Sequence, residues 1–136
     1  MDFFSVFRHL KDVQNAMIYI IEDDTSIIRG FQLFLKSAGM KFRSFESAID
    51  FLDQCRPGVR DILVLDLNLP GMSGCDLLKR LAEEDLHIPV IVVTAFDDAQ
   101  NRETCREYGV KAYLRKPVDG EALIDIIKYN QPGAYD

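Results

Sequence analysis

Four reactive positions each stand at or just beyond the end of an apolar run. Glu22-Asp23-Asp24 follows Met17-Ile18-Tyr19-Ile20-Ile21, Asp66 follows Ile62-Leu63-Val64-Leu65, and Thr94 follows Val90-Ile91-Val92-Val93. Lys116, with Pro117 after it, follows a shorter run that ends at Leu114. If the runs are parallel strands of one sheet, these groups share its C-terminal edge, where open α/β sheets bind ligands. Each has an ordinary explanation alone: acidic residues cap helices, Thr turns the chain, and Lys before Pro is a solvated charge. A carboxylate cluster, a hydroxyl and a cation at successive strand tips form a set that no core requires. Carboxylates so close repel, so protons or a cation must neutralise them. A hard divalent cation with oxygen ligands, magnesium above all, suits such a cluster. A metal, a hydroxyl and an ammonium around a carboxylate also suit phosphoryl transfer, in which Asp accepts the group as an acyl phosphate.

The elements that must position these groups follow from periodicity. A continuous apolar run bounded by turn residues reads as a strand buried on both faces. Between the runs, apolar residues recur at helical spacing: Ile27, Ile28, Phe31, Phe34, Leu35 and Ala38, then Ala48, Phe51, Leu52 and Cys55, then Leu77, Leu78, Leu81 and Ala82. Thr25 or Ser26 caps the first of these helices and Gly39 ends it. A fourth helix, capped by Asp97 or Asp98 and ended by Gly109, has only Ala99, Cys105 and Tyr108 to bury. A last helix, capped by Asp119, carries Leu123, Ile124, Ile126 and Ile127. The segment from Met40 to Phe45 alternates and reads as a less buried strand. Five strands alternating with five helices require a mostly parallel sheet with helices on both faces, an α/β doubly wound domain. Periodicity does not fix the strand order.

At 136 residues, with 48% hydrophobic and 28% charged residues, the chain reads as one globular domain. Sixteen basic residues against 22 acidic ones give a net charge of −6, which argues against a nucleic-acid-binding surface in this chain. Cys55, Cys75 and Cys105 are odd in number and match no zinc or redox spacing, which suits a reducing, cytoplasmic compartment. No apolar run is long enough to span a membrane. Residues 1–16 read as an N-terminal extension: Phe3, Phe7, Leu10 and Val13 lie at helical spacing, as an arm packed on its own domain or as a docking element. Residues 17–130 form the domain, and residues 131–136 read as a loose tail.

In this setting the motifs resemble the receiver domain of bacterial two-component response regulators, the CheY-like family, over roughly residues 17–130. The acidic pair Glu22-Asp23, the acceptor Asp66 with its Leu69-Pro70-Gly71-Met72-Ser73-Gly74 loop, Thr94-Ala95, Lys116-Pro117 and Tyr113 stand in the family's order. The resemblance implies a flavodoxin-like sheet of order 2-1-3-4-5. It implies that Asp66 takes a phosphoryl group from a histidine kinase or a histidine phosphotransfer protein. It further implies that Asp23, Asp66 and the backbone carbonyl of Asn68 bind magnesium directly, with Glu22 acting through water. Thr94 and Lys116 would bind phosphoryl oxygens, Thr94 and Tyr113 would be the switch residues, and the Lys116–Pro117 peptide would be cis. Asp24 remains a helix cap. Phe96, bulky and apolar two residues after Thr94, is expected to affect acyl-phosphate hydrolysis.

The resemblance also implies an output face made by the fourth helix, the fifth strand and the last helix. Arg102, Glu103, Arg106, Glu107, Lys111, Arg115 and Lys128 lie there, and a solvated surface explains them equally well. A downstream protein or a second, phosphorylated copy would meet this face, and neither nucleic acid nor membrane is expected to bind the chain. The expectation is a signalling switch, not a turnover enzyme, either a stand-alone receiver or one cut from a longer regulator. Two alternatives remain: a pseudo-receiver that binds a partner without phosphorylation, and an aspartyl-phosphate hydrolase of the haloacid-dehalogenase type. In the hydrolase the nucleophile strand comes first and a second Asp stands where this chain has Asn68.

Overall fold

The computed structural model describes residues 2–3 and 16–131. The expected N-terminal helix and most of the expected tail lie outside the described residues. Five strands form one parallel sheet: β1 (Met17–Ile21), β2 (Lys41–Phe45), β3 (Ile62–Leu65), β4 (Val90–Thr94) and β5 (Ala112–Arg115). Their order is β2-β1-β3-β4-β5, as expected. Five helices connect them: α1 (Thr25–Ser37), α2 (Ala48–Gln54), α3 (Gly74–Glu83), α4 (Ala99–Glu107) and α5 (Gly120–Asn130). β3 sits at the centre of the sheet, with all four of its residues buried.

The sheet divides the core into two layers by strict alternation. Tyr19, Ile21, Leu63, Leu65 and Val92 face α2, α3 and α4, where Phe51, Leu77, Leu78, Leu81 and Cys105 meet them. Ile18, Ile20, Ile62, Val64, Ile91 and Val93 face α1 and α5, against Phe31, Leu35, Leu123 and Ile127. This double coverage explains why β1, β3 and β4 are unbroken apolar runs. Tyr19, Phe45 and Phe51 pack edge to face under α2, with ring centroids 5.3 Å apart for Tyr19–Phe51 and 5.7 Å for Phe45–Phe51. Such pairs add roughly 0.5–1.5 kcal/mol beyond the area they bury.

Of the candidate caps of α1, Asp24 acts, as expected of it, and Thr25 and Ser26 do not: its carboxylate accepts from the backbone N–H groups of Ser26 and Ile27. Its extended backbone, just before the first helical residue, lets its carboxylate reach those two groups. Ser47 caps α2, Asp98 caps α4, and Ser73 with Asp76 forms a reciprocal capping box on α3. Gly39 and Gly109 each take φ 72° just beyond the ends of α1 and α4, a conformation glycine adopts without penalty. On the expected apolar faces Ala82 is exposed and Phe34 is 42% exposed, whereas Ala48, Phe51 and Cys55 are buried as expected. Gln131, expected in a loose tail, is buried at the end of α5, where its N–H donates to the Lys128 carbonyl.

Candidate functional site

Parallel strands deliver their last residues to one edge. The tips of β1, β3 and β5 bring Glu22, Asp66 and Lys116 into contact there. Lys116 Nζ donates to Glu22 Oε2 at 2.7 Å and to Asp66 Oδ2 at 3.1 Å. Glu22 is 1% exposed and Asp66 3%. Register explains the meeting: β3 pairs with β1 through Leu65 and Ile21, and the Asp66 N–H donates to the Ile21 carbonyl. Asp23 is exposed beside them, and carboxylate oxygens of Glu22, Asp23 and Asp66 all lie within 4.8 Å of one another.

Three carboxylates thus crowd together, and two of them share one ammonium. Burial pushes the Glu22 carboxyl above its ordinary value, against the pull of Lys116 and with repulsion from Asp66 added. Burial alone would lower the Lys116 ammonium, but the hydrogen bonds it donates to Glu22 and Asp66 outweigh that and raise it. The donor set, hard oxygens with one negative charge or more in excess, fits an oxygen-preferring divalent cation. Glu22 Oε1 also accepts from the Asp24 N–H at 3.2 Å, and Asp66 Oδ1 accepts from the Asn68 N–H at 3.1 Å. Both carboxylates are therefore fixed in orientation before any ligand arrives. Among the described residues, every buried side-chain nitrogen or oxygen has a partner.

The loop after Asp66 is held by one close approach. A methyl group on Gly74, the first residue of α3, would lie 2.6 Å from the Asp66 carbonyl oxygen and 2.6 Å from the Leu67 Cα. Only glycine lets α3 begin against the backbone that carries the carboxylate.

Thr94 is fully buried at the tip of β4, and its hydroxyl turns to its own loop. Oγ1 accepts from the Phe96 N–H at 3.2 Å and donates to the Phe96 carbonyl at 3.3 Å. Tyr113 Oη on β5 donates to the same carbonyl, also at 3.3 Å. Phe96 itself is 59% exposed. Beyond it, Asp97 pairs with Arg102 of α4 through both carboxylate oxygens and stands 3.8 Å from Arg115 of β5. The Arg102 guanidinium lies over the Tyr113 ring, 5.6 Å from its centroid. The Lys116–Pro117 peptide is cis, as expected.

Glu22, Asp23, Asp66 and Lys116 thus meet at one edge, and Thr94 and Tyr113 meet at the Phe96 carbonyl, while Asn68 is tied to Asp66 through its N–H. Sequence reasoning did not find the role of Gly74 or of the Asp97 ion pairs. Gly74 stands within the motif after Asp66, and its position at a helix start was the available signal. The Asp97 pairs join α4 to β5 and follow only from the packing of those two elements.

The profile of the response regulator receiver domain matches residues 18–128. Nodulation protein W of Bradyrhizobium diazoefficiens is 33% identical over 119 residues, covering 88% of this chain and 52% of that protein. The solved structure of the response regulator StyR is 33% identical with a TM-score of 0.79, covering 85% of this chain and 59% of that one. The CheY-like receiver domain from Methanospirillum hungatei JF-1 is 26% identical with a TM-score of 0.77, covering 84% of this chain and 91% of that one. The chain spans about half the length of Nodulation protein W. With the strand order, the acidic edge and the matched profile in agreement, the chain belongs to the response regulator receiver domain family, the signalling domain of two-component systems.

Proposed function

We propose that this receiver domain accepts a phosphoryl group on Asp66 from a phosphohistidine donor and converts the modification into a change at the face of α4, β5 and α5. The observation that carries this reading is the contact of Lys116 with both Glu22 and Asp66, beside the exposed Asp23. An Asp66 carboxylate oxygen attacks phosphorus, the phosphorus–nitrogen bond breaks, and the donor imidazole keeps the electron pair and takes a proton. Lys116 neutralises phosphoryl oxygens as they develop charge, and the Thr94 hydroxyl gives up its local bonds to donate to one of them. Asp23, Asp66, the Asn68 carbonyl and, through water, Glu22 would hold magnesium. When bound, the ion screens the carboxylates from the incoming phosphoryl group and polarises it. Tyr113 would follow Thr94, because both hydroxyls share the Phe96 carbonyl.

The donor would be a histidine kinase or a histidine phosphotransfer protein. The recipient would be a protein, or a second copy of the chain, docking on the α4–β5–α5 face. Phe96 would slow or speed hydrolysis of the acyl phosphate through its exposed ring. Intact mass after incubation with acetyl phosphate and magnesium tests the central step. The expected result is one phosphoryl adduct that requires magnesium and is lost in Asp66→Ala. A folded, magnesium-binding protein with no adduct overturns the reading, and steady phosphate release would replace it with a hydrolase.

A further inference from the structure

β5 is the far strand of the sheet and, among the described residues, pairs with β4 alone. A strand with one neighbour turns alternate backbone N–H and C=O groups outward, where a second chain can take them. The two edges of this sheet differ. β2 carries exposed cations on the strand itself, Lys41 and Arg43. β5 has three uncharged residues in a row, Ala112, Tyr113 and Leu114, all half-buried, whereas every residue of β3 and β4 is buried.

A groove flanks this rim on each face. Ala112 and Leu114 pack into the layer of α1 and α5, and Tyr113 packs into the layer of α2, α3 and α4. On the α5 side a groove of about 520 Å³ is lined by Ile126, Lys128 and Tyr129. On the α4 side one of about 390 Å³ is lined by Arg102, Arg106 and Tyr113, and Lys111 and Ala112 border both. The grooves thus meet across the rim, and they differ in charge. Three cations and no carboxylate line the α4 groove, in a chain of net charge −6. Arg102 is engaged by Asp97, but Arg106 and its helix neighbour Glu103 form an exposed pair, and such pairs exchange partners at little cost. Arg106 and Lys111 are therefore the cations that an incoming acid would meet.

We propose that the α4–β5–α5 face receives an extended segment of a partner protein, added to β5 as a sixth strand. Its side chains alternate between acidic ones over Arg106 and Lys111 and apolar ones in the α5 groove. This rests on the reading of that face as the docking surface. Backbone hydrogen bonds supply affinity whatever the sequence, and the two grooves select alternate side chains. A rim of four residues limits the contact to a few hydrogen bonds, which suits a reversible signal. The period is the requirement: an acidic helix presents the same charges at 3.6 residues per turn, not at the two that the paired grooves demand.

The probe is a fluorescent peptide of roughly eight residues in which glutamate alternates with valine. It is titrated onto the whole chain before and after treatment with acetyl phosphate and magnesium. In a strand the N–H groups of successive residues face opposite edges. Methylating the glutamate nitrogens and methylating the valine nitrogens therefore block opposite edges of the peptide. One methylated peptide should bind like its parent and the other roughly tenfold more weakly. A peptide of the same composition with its glutamates in one block should also lose roughly tenfold, and so should the parent peptide on Arg106→Glu with Lys111→Glu. Should that double variant fail to fold, Arg106→Gln with Lys111→Gln takes its place. Amide hydrogen exchange in β5 should slow on binding. Equal binding of the two methylated peptides overturns strand addition, and so does equal binding of the block peptide. Protection that falls on β2 instead of β5, or no binding in either state, overturns it as well. A chain that binds the peptide but takes up no phosphoryl group defeats the phosphoacceptor reading and leaves the strand site standing.

Discussion

The hydroxyls of Thr94 and Tyr113 donate to one carbonyl oxygen, that of Phe96, each at 3.3 Å. Two groups on neighbouring strands thus meet at a single acceptor. Groups that share an acceptor are not energetically independent. Thr94→Val, Tyr113→Phe and the double variant should form a non-additive cycle in urea unfolding, with a coupling of roughly 0.5 kcal/mol or more. Additive effects would mean that the shared oxygen carries no coupling.

Lys116 is the shared counter-charge of two buried carboxylates. Lys116→Met should lower stability at neutral pH by roughly 3–5 kcal/mol, because removing one partner strands the other charges. Magnesium chloride should recover part of the loss if the acidic cluster binds the ion. Chemical denaturation with and without magnesium checks both points. A loss under about 1 kcal/mol would show that the carboxylates simply take up protons or water.

Glycines at two helix starts make opposite predictions. At Gly74 an added methyl meets backbone, the Asp66 carbonyl and the Leu67 Cα, neither of which can move without shifting the loop that carries Asp66. Gly74→Ala should cost several kcal/mol, at or above the roughly 1–3 usual for overpacking, or prevent folding. At Gly120 the methyl meets the Phe34 ring, 42% exposed on α1, which can swing outward. Gly120→Ala should cost less than Gly74→Ala, and parallel thermal melts settle the order.

Burial pushes the Cys105 thiol up to about 11 from an ordinary value of 9.0. A raised folded value means that the folded state disfavours the thiolate. Its stability contribution is therefore complete below about pH 9 and is lost as pH rises through about 11. Two units correspond to roughly 2–3 kcal/mol. The melting temperature should fall over this window, and less steeply in Cys105→Ala. At pH 8 iodoacetamide should leave native Cys105 unmodified.

The fold was legible where burial leaves no choice. β1, β3 and β4 need apolar residues on both faces, so they stand out as unbroken runs, and the reactive residues directly after them were legible for the same reason. What depends on three-dimensional fit was not. Ala82 has the periodicity of a core residue, yet it faces solvent at the last turn of α3. Thr25 and Ser26 have the composition of a cap, but the backbone bends one residue earlier, at Asp24. That Thr94 would bind its own loop, and that Asp97 rather than Asp98 would face the arginines, depends on loop geometry that periodicity does not encode.

The outer strand β2 carries a further consequence. Along it Lys41 and Arg43 are exposed, and Arg43 folds back over the Phe45 ring at 5.0 Å and onto the Cys55 sulfur at 3.3 Å. Among the described residues β2 ends the sheet, and its outer rim of backbone groups is a template on which a second chain could add a strand. Two cations on that rim repel an approaching copy and keep the sheet at five strands. Replacing both with valine would leave the acidic edge untouched and turn the rim of the sheet into a seed for aggregation.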